Sequence, residues 1–500
     1  MPNKVVIDGE SLAVSDVVAV ARDRAHVTVS HEAKVAADRS RKALEKRFTS
    51  GASIYGVNTG FGKLANVKIA SDQLDQLQRN LIRSHVAGVG PPLPVELVRA
   101  LMLLRANVLL KTTSGVRSLL AEQLAGMLNA GIHPIVPEQG SVGASGDLAP
   151  LAHVGQALMG EGDVLVDGGR LVPAAQALRA AGMEPVSFAA KEGLSFINGT
   201  QAQSGILALL VHDARNLWRT AHGAAAMSLE ALKGTPVPFD ERIHAAKPHR
   251  GQAESAKIMR EMLAGSEIRE SHRDNDPRVQ DSYSLRCTPQ ILGPVKDVID
   301  FAVDVVGVEL NAATDNPLVF GDEVLSGGNF HGQSVAMALD FLSIALTTLA
   351  GVAERRIDRM LNPETSQGLP AFLARNPGLQ SGFMMVQVTA AALVGESRTL
   401  CTPASVQSIP TDGNQEDYVP MGMAAAFKAR RILANATGVV AIELLAAAQG
   451  LEFLKPLKPG KGVEKLYNRV RESVPQVDED RPFGPDIATM SALIEQEALI

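Results

Sequence analysis

The sequence predicts a mainly α protein: a central bundle of long helices with a smaller N-terminal α+β region. Apolar residues recur at three- and four-residue steps over stretches much longer than a strand. Those stretches are Ala-rich and nearly uncharged, as in helices covered on several sides. Turn-flanked, alternating segments are short and few.

Taken in order, the first residues alternate weakly and break at Asp8-Gly9, which predicts a short hairpin. Leu97, Leu101, Leu104 and Val108 set a helical period that runs over 94–130. Asp167-Gly168-Gly169 between β-branched residues predicts a second hairpin over 164–172. Long helices are expected over 201–232, 294–313, 386–399 and 421–449. The run from Val335 through Leu342 and Leu349 to Ile357 predicts another, roughly 35 Å long, ending before Pro363. Residues 234–290 scatter Pro, His and charge and read as a loop-rich excursion around one or two helices. From 455 to 485 the chain is polar and Pro-rich, followed by a short amphipathic helix. The expected division is 1–200, 201–454 and 455–500.

The chain has 500 residues, 46% hydrophobic and 20% charged, with net charge −6. That balance argues against a nucleic-acid partner or a polybasic membrane contact. Apolar stretches such as 205–211 fall short of the roughly 18 residues that a span needs. Only Cys287 and Cys401 occur, and the first residues lack the apolar run of a secretory signal, so a cytoplasmic location is expected. Neither His-Glu-x-x-His nor Cys-x-x-Cys is present, so no metal is expected, and the glycine-rich loop at 55–62 lacks the ending of a nucleotide-binding P-loop.

Several polar constellations remain. Residues 141–150 read Ser-Val-Gly-Ala-Ser-Gly-Asp-Leu-Ala-Pro. Ala144-Ser145-Gly146 has little steric resistance to unusual backbone angles, so Gly146 N could attack the Ala144 carbonyl and close a five-membered ring. Loss of two waters would then leave a methylidene-imidazolone, an electrophile made from the chain itself. The same tripeptide also suits a tight turn before a helix starting near Asp147. Tyr55, in the loop Tyr-Gly-Val-Asn-Thr-Gly-Phe-Gly, reads as a packing residue or as an acid/base on a lid, with Gly56, Gly60 and Gly62 as flexible points. Asn198 reads as a helix cap or a positioning amide. Gln280, Tyr283 and Arg286 recur at three-residue steps, and Arg286 suits either a surface ion pair or a bidentate carboxylate clamp. Phe330 and His331 precede the long helix, and the acids Glu416 and Asp417 precede another.

Residues 140–153 resemble, nearly letter for letter, the signature of the aromatic amino acid ammonia-lyase family, and the resemblance extends from about Tyr55 to Gly422. It implies that Ala144, Ser145 and Gly146 form the methylidene-imidazolone cofactor autocatalytically. It implies that Tyr55 is a catalytic acid/base and that Asn198 touches the substrate or ring. Arg286 would hold the substrate carboxylate, Tyr283 and Gln280 would support the ring and the transferring proton, and Phe330 would pack beside them. His331 receives no catalytic role. A homotetramer with active sites shared between chains is also implied, which fits helices that one chain would struggle to cover.

Members acting on histidine carry Ser-His at 84–85 and Gln-Glu-Asp at 415–417, as this chain does; tyrosine-specific members typically have His-Leu at the first place, and members acting on phenylalanine or tyrosine read Asn-Gln-Asp at the second. The implied reaction is loss of ammonia from L-histidine to give trans-urocanate. Glu416 can accept the imidazole N–H, whereas a benzene ring would leave that carboxylate buried and unpaired. His85 would bond the same imidazole. Either Tyr55 or Glu416 would take the β-proton. The chain departs from the histidine pattern at Tyr418 and Pro420, where those members have His and Ser. The rival readings are a tyrosine or phenylalanine ammonia-lyase, a 2,3-aminomutase, or a helical scaffold whose tripeptide never cyclises.

Overall fold

A computed structural model describes residues 3–48, 55, 57–166, 168–274 and 276–499. Helix dominates, and the strands are two to four residues long, so the mainly α expectation holds. The chain divides into two compact units, each drawn from three separated segments. The first takes 1–212, 302–340 and 403–427; the second takes 213–301, 341–402 and 428–500. This partition falls inside four long helices and differs from the consecutive division expected above, because a long helix can give its two ends to different cores.

In the first unit, strand Lys4–Ile7 pairs in parallel with His26–Val29 across helix Val14–Ala21. The hairpin expected at Asp8-Gly9 is therefore absent. Asp8 Oδ1 accepts from the amides of Glu10 and Ser11 at 2.8 and 2.9 Å, which turns the chain towards a helix rather than back on itself. The period over 94–130 resolves into helices Val95–Leu109 and Leu119–Asn129, broken at Gly115, whose φ is +63°. The second hairpin forms between Asp163–Val166 and Arg170–Pro173; Asp167 lies outside the described residues.

The long helices match their periods: Gln201–Ala231, Gln333–Leu361, Met384–Leu400 and Gly422–Glu452. Helix Thr288–Glu309 starts earlier than its pattern and carries Pro294 inside it. Helices Gln333–Leu361 and Gly422–Glu452 are, contrary to the sequence reading, long and apolar enough to cross a membrane, although most of each apolar stretch is buried within the chain.

In the second unit, Arg356 forks onto Glu443 at 2.5 and 2.9 Å, both side chains fully buried, and Ser228 Oγ donates to Glu443 at 2.7 Å. Among the described residues, the 234–290 excursion holds four α-helices and a short 3-10 turn at Val237–Phe239 rather than one or two helices, and of these Arg250–Met262 exceeds ten residues. The polar stretch after 455 hides helix Lys461–Ser473, which buries Val463, Leu466 and Val470. That three-then-four spacing was legible and was masked by the surrounding prolines.

Candidate active site

Helix Leu148–Leu158 begins directly after the Ala-Ser-Gly turn, and helix Glu192–Ile197 delivers Asn198-Gly199 against it. Gly146 has φ +78° and forms an isolated parallel bridge with Gly199. A Cβ on Gly146 would lie 2.3 Å from the Gly199 backbone, so no larger residue fits without moving the chain. Asp147 N donates to Gly199 O at 2.7 Å, and Asn198 Nδ2 donates to Ser145 O at 2.7 Å. Asn198 Oδ1 is buried with no hydrogen-bond partner, which leaves one acceptor beside the turn uncommitted. The residues present thus suit ring closure: a small-residue turn compressed by a second backbone, with a fixed donor on the oxygen that would become the ring's carbonyl.

Two buried charges support this geometry. Arg105, on helix Val95–Leu109, donates to the carbonyls of Ser195 and Asn198 at 2.7 and 3.1 Å and to Gln201 Oε1 at 2.5 Å. Burial pushes its guanidinium down to about 10, so it stays charged at neutral pH. Asp147 accepts from Ser141 Oγ at 2.8 Å and from the Gln203 amide at 2.9 Å. Burial, partly offset by those bonds, pushes its carboxyl up to about 6.

Because the folded value is raised, Asp147 contributes most to stability below the ordinary carboxyl value of 3.8, and the contribution is lost as pH rises through about 6. Wild type should therefore lose stability relative to Asp147→Asn across that window, by about 3 kcal/mol at the top. Chemical denaturation midpoints at several pH values test this; parallel profiles for the two proteins would count against it.

Ser145 faces a cavity of about 580 Å³ in the first unit, which Tyr55, His85, Asn198, Phe330 and Glu416 also line. Glu416 Oε1 accepts from Ser145 Oγ, and its Oε2 accepts from Thr411 Oγ1 at 2.6 Å. His85 Nδ1 lies 2.8 Å from the Leu81 carbonyl, which can only accept. The neutral ring therefore keeps its proton on Nδ1 and leaves Nε2 as an acceptor. Tyr55 Oη accepts from Gly62 N at 3.1 Å, and Asp412 Oδ2 accepts from Lys63 N at 3.1 Å, tying the residues after Tyr55 to the Glu416 loop. Gly56 lies outside the described residues.

Gln280, Tyr283 and Arg286 line a different cavity, about 420 Å³, within the second unit. Tyr283 and Arg286 share the short helix Tyr283–Arg286, with the guanidinium 4.6 Å over the phenol ring; Gln280 precedes that helix. Arg286 Nε is buried without a partner. His331 Nε2 donates to the Tyr418 carbonyl at 3.1 Å, and its ring stacks on Tyr418 at 6.4 Å. Neither departure from the histidine pattern lines the 580 Å³ cavity, but Tyr418, though exposed, lines a further cavity of about 450 Å³ with Tyr55, Ser145 and Glu416, and Pro420 is buried against Gly143.

Sequence reasoning missed Arg105, Thr411 and Asp412. Two arginines, Arg99 and Arg105, among the apolar residues of helix Val95–Leu109 were a readable signal for buried cations there. Thr411 and Asp412 act through a loop contact that no periodicity encodes.

Residues 12–472 match the aromatic amino acid lyase family. A histidine ammonia-lyase from Koribacter versatilis is 51% identical over 507 aligned positions, which cover 99% of this chain and 98% of that protein. The crystal structure of histidine ammonia-lyase from Trypanosoma cruzi superposes with a TM-score of 0.92 at 42% identity, covering 99% of this chain and 94% of that one. Tyrosine aminomutase from Streptomyces globisporus superposes with a TM-score of 0.94 at 41% identity, covering 100% and 98%. The chain belongs to the aromatic amino acid lyase family.

Proposed function

We propose that this chain is a histidine ammonia-lyase, converting L-histidine to trans-urocanate and ammonia. The observation that carries the reading is the joint placement of Ser145, Glu416 and the free Nε2 of His85 on one cavity. Whole-chain identity of about half to histidine ammonia-lyases supports the same substrate. A methylidene-imidazolone closed from Ala144-Ser145-Gly146 supplies the electrophile that activates the amine for departure. Asn198 Nδ2 holds the Ser145 carbonyl oxygen, where negative charge would gather. His85 Nε2 accepts the imidazole N–H, and Glu416, once Ser145 Oγ has left as water, has Oε1 free for the same ring. Tyr55 and Glu416 both reach the cavity as candidates for β-proton removal.

Arg286, with Tyr283 and Gln280, serves a site completed by a second copy of the chain, in the homotetramer that the resemblance implies. Its unpartnered buried Nε is the donor left for a substrate carboxylate. A cytoplasmic enzyme with no nucleic-acid or membrane partner is the accompanying expectation.

The deciding experiment follows absorbance of the unsaturated acid with histidine, tyrosine and phenylalanine in parallel. Histidine should be turned over; turnover of tyrosine without histidine would sink the substrate assignment in favour of the aminomutase-like relatives. Glu416→Ala should lower kcat/KM for histidine by at least about a hundredfold. The same variant should leave binding of a simple carboxylate inhibitor nearly intact. Equal losses in both would argue against contact with the imidazole.

A further inference from the structure

One buried side chain touches both ends of the ring-forming turn. Gln203 sits in the first turn of helix Gln201–Ala231 and is fully buried. On the C-terminal side of the tripeptide, its backbone N–H donates to Asp147 Oδ2 at 2.9 Å and its Nε2 donates to Asp147 Oδ1 at 3.3 Å. On the N-terminal side, its amide lies against Gly143: a Cβ there would be 2.9 Å from Gln203 Nε2. Two further glycines enclose the same amide. A Cβ on Gly332 would lie 2.4 Å from Nε2, and one on Gly422 would lie 1.9 Å from Oε1.

Those glycines belong to the segments that hold the turn from outside. Gly332 N donates to Gly143 O at 3.1 Å, and Met421 N donates to Val142 O at 2.8 Å. Three chain segments therefore meet on a single carboxamide. Gln203 Oε1 has no hydrogen-bond partner, so the acceptor half of the amide adds no bond of its own. A buried amide with an unused oxygen costs stability relative to an apolar side chain of equal size. What it supplies instead is a span of fixed width between Gly143 and Asp147.

We propose that Gln203 is a positioning residue for ring closure: it holds the residues flanking Ala144-Ser145-Gly146 close enough for Gly146 N to reach the Ala144 carbonyl carbon. The inference rests on the reading that these three residues cyclise. In that step the Gly146 N to Ala144 C bond forms. The Ala144 oxygen leaves as water with the amide protons of Gly146 and Ser145. Ser145 Oγ leaves as a second water with its own proton and the Ser145 α-proton. No oxidant or co-reactant is needed. The barrier is one of approach, which is where a rigid clamp acts.

The test uses full-length chains made by cell-free synthesis and sampled over time by intact mass, with ellipticity and thermal midpoint measured alongside. Gln203→Met keeps the bulk and loses the donor. Leu207→Ala, a fully buried apolar position further along the same helix, serves as a stability control. Wild type should become two waters lighter. Leu207→Ala should melt lower and still lose both waters at the wild-type rate. Gln203→Met should fold yet lose them on the order of a hundredfold more slowly. Gln203→Glu, of the same length, should also fold and be slow at neutral pH, where its carboxylate faces Asp147.

Wild-type closure rates in the folded Gln203 variants would overturn the inference, as would slowing in Leu207→Ala that matches theirs. If neither Gln203 variant folds, the residue is structural and the inference fails. A wild-type chain that never loses the two waters would defeat the ring reading itself, a separate result.

Discussion

Ser145→Ala should fold normally, keep its full mass and lose at least about a thousandfold in kcat with histidine. Folding should survive because Ser145 makes one side-chain bond, to Glu416, at the edge of an open cavity. The backbone contacts that set the turn, Asn198 to Ser145 O and Asp147 to Gly199, do not involve the hydroxyl. Activity should collapse because, in the proposed ring, the methylidene carbon is the Ser145 β-carbon and would form only when the hydroxyl departs. Neutral or protonated amine leaves poorly without an electrophile, and general acid–base help from Tyr55 or Glu416 supplies only part of the barrier reduction. Intact mass and the urocanate assay on the same preparation check both halves. An active Ser145→Ala protein would remove the tripeptide from the mechanism.

Arg356→Met should destabilise the chain by about 3–5 kcal/mol. The substitution leaves Glu443 fully buried with Ser228 Oγ as its remaining side-chain donor. Restoring electrical balance with Arg356→Met combined with Glu443→Leu should recover most of the loss, since a well-packed apolar pair avoids the desolvation of both ions. Urea denaturation midpoints of the two variants and wild type make the comparison. A double variant as unstable as the single one would place the cost in packing rather than in the stranded carboxylate.

The long helices were legible because a buried helix face repeats every three or four residues whatever it packs against. Hence 201–232 and 421–449 came within a few residues of Gln201–Ala231 and Gly422–Glu452. The reading failed where a local signal had two physical outcomes. Asp8-Gly9 can reverse a strand or launch a crossover helix, and the parallel partner at His26–Val29 selected the second. Helix Lys461–Ser473 was hidden because prolines around it dominated the composition.

The site divides in the same way. The candidates were legible in the chain: Ala144-Ser145-Gly146 for the proposed electrophile, Glu416 and His85 for a proposed imidazole contact, Arg286 for a proposed carboxylate contact. These are properties of residue type and order, which a sequence carries completely. The tertiary structure decided what stands beside them. It set Gly199 against Gly146, chose the Nδ1 proton of His85 through the Leu81 carbonyl, and wrapped three glycines around Gln203. It also put Gln280, Tyr283 and Arg286 on a cavity of their own. Such neighbours are distant in the chain and obey no period, so only the packed fold determines which of them meet.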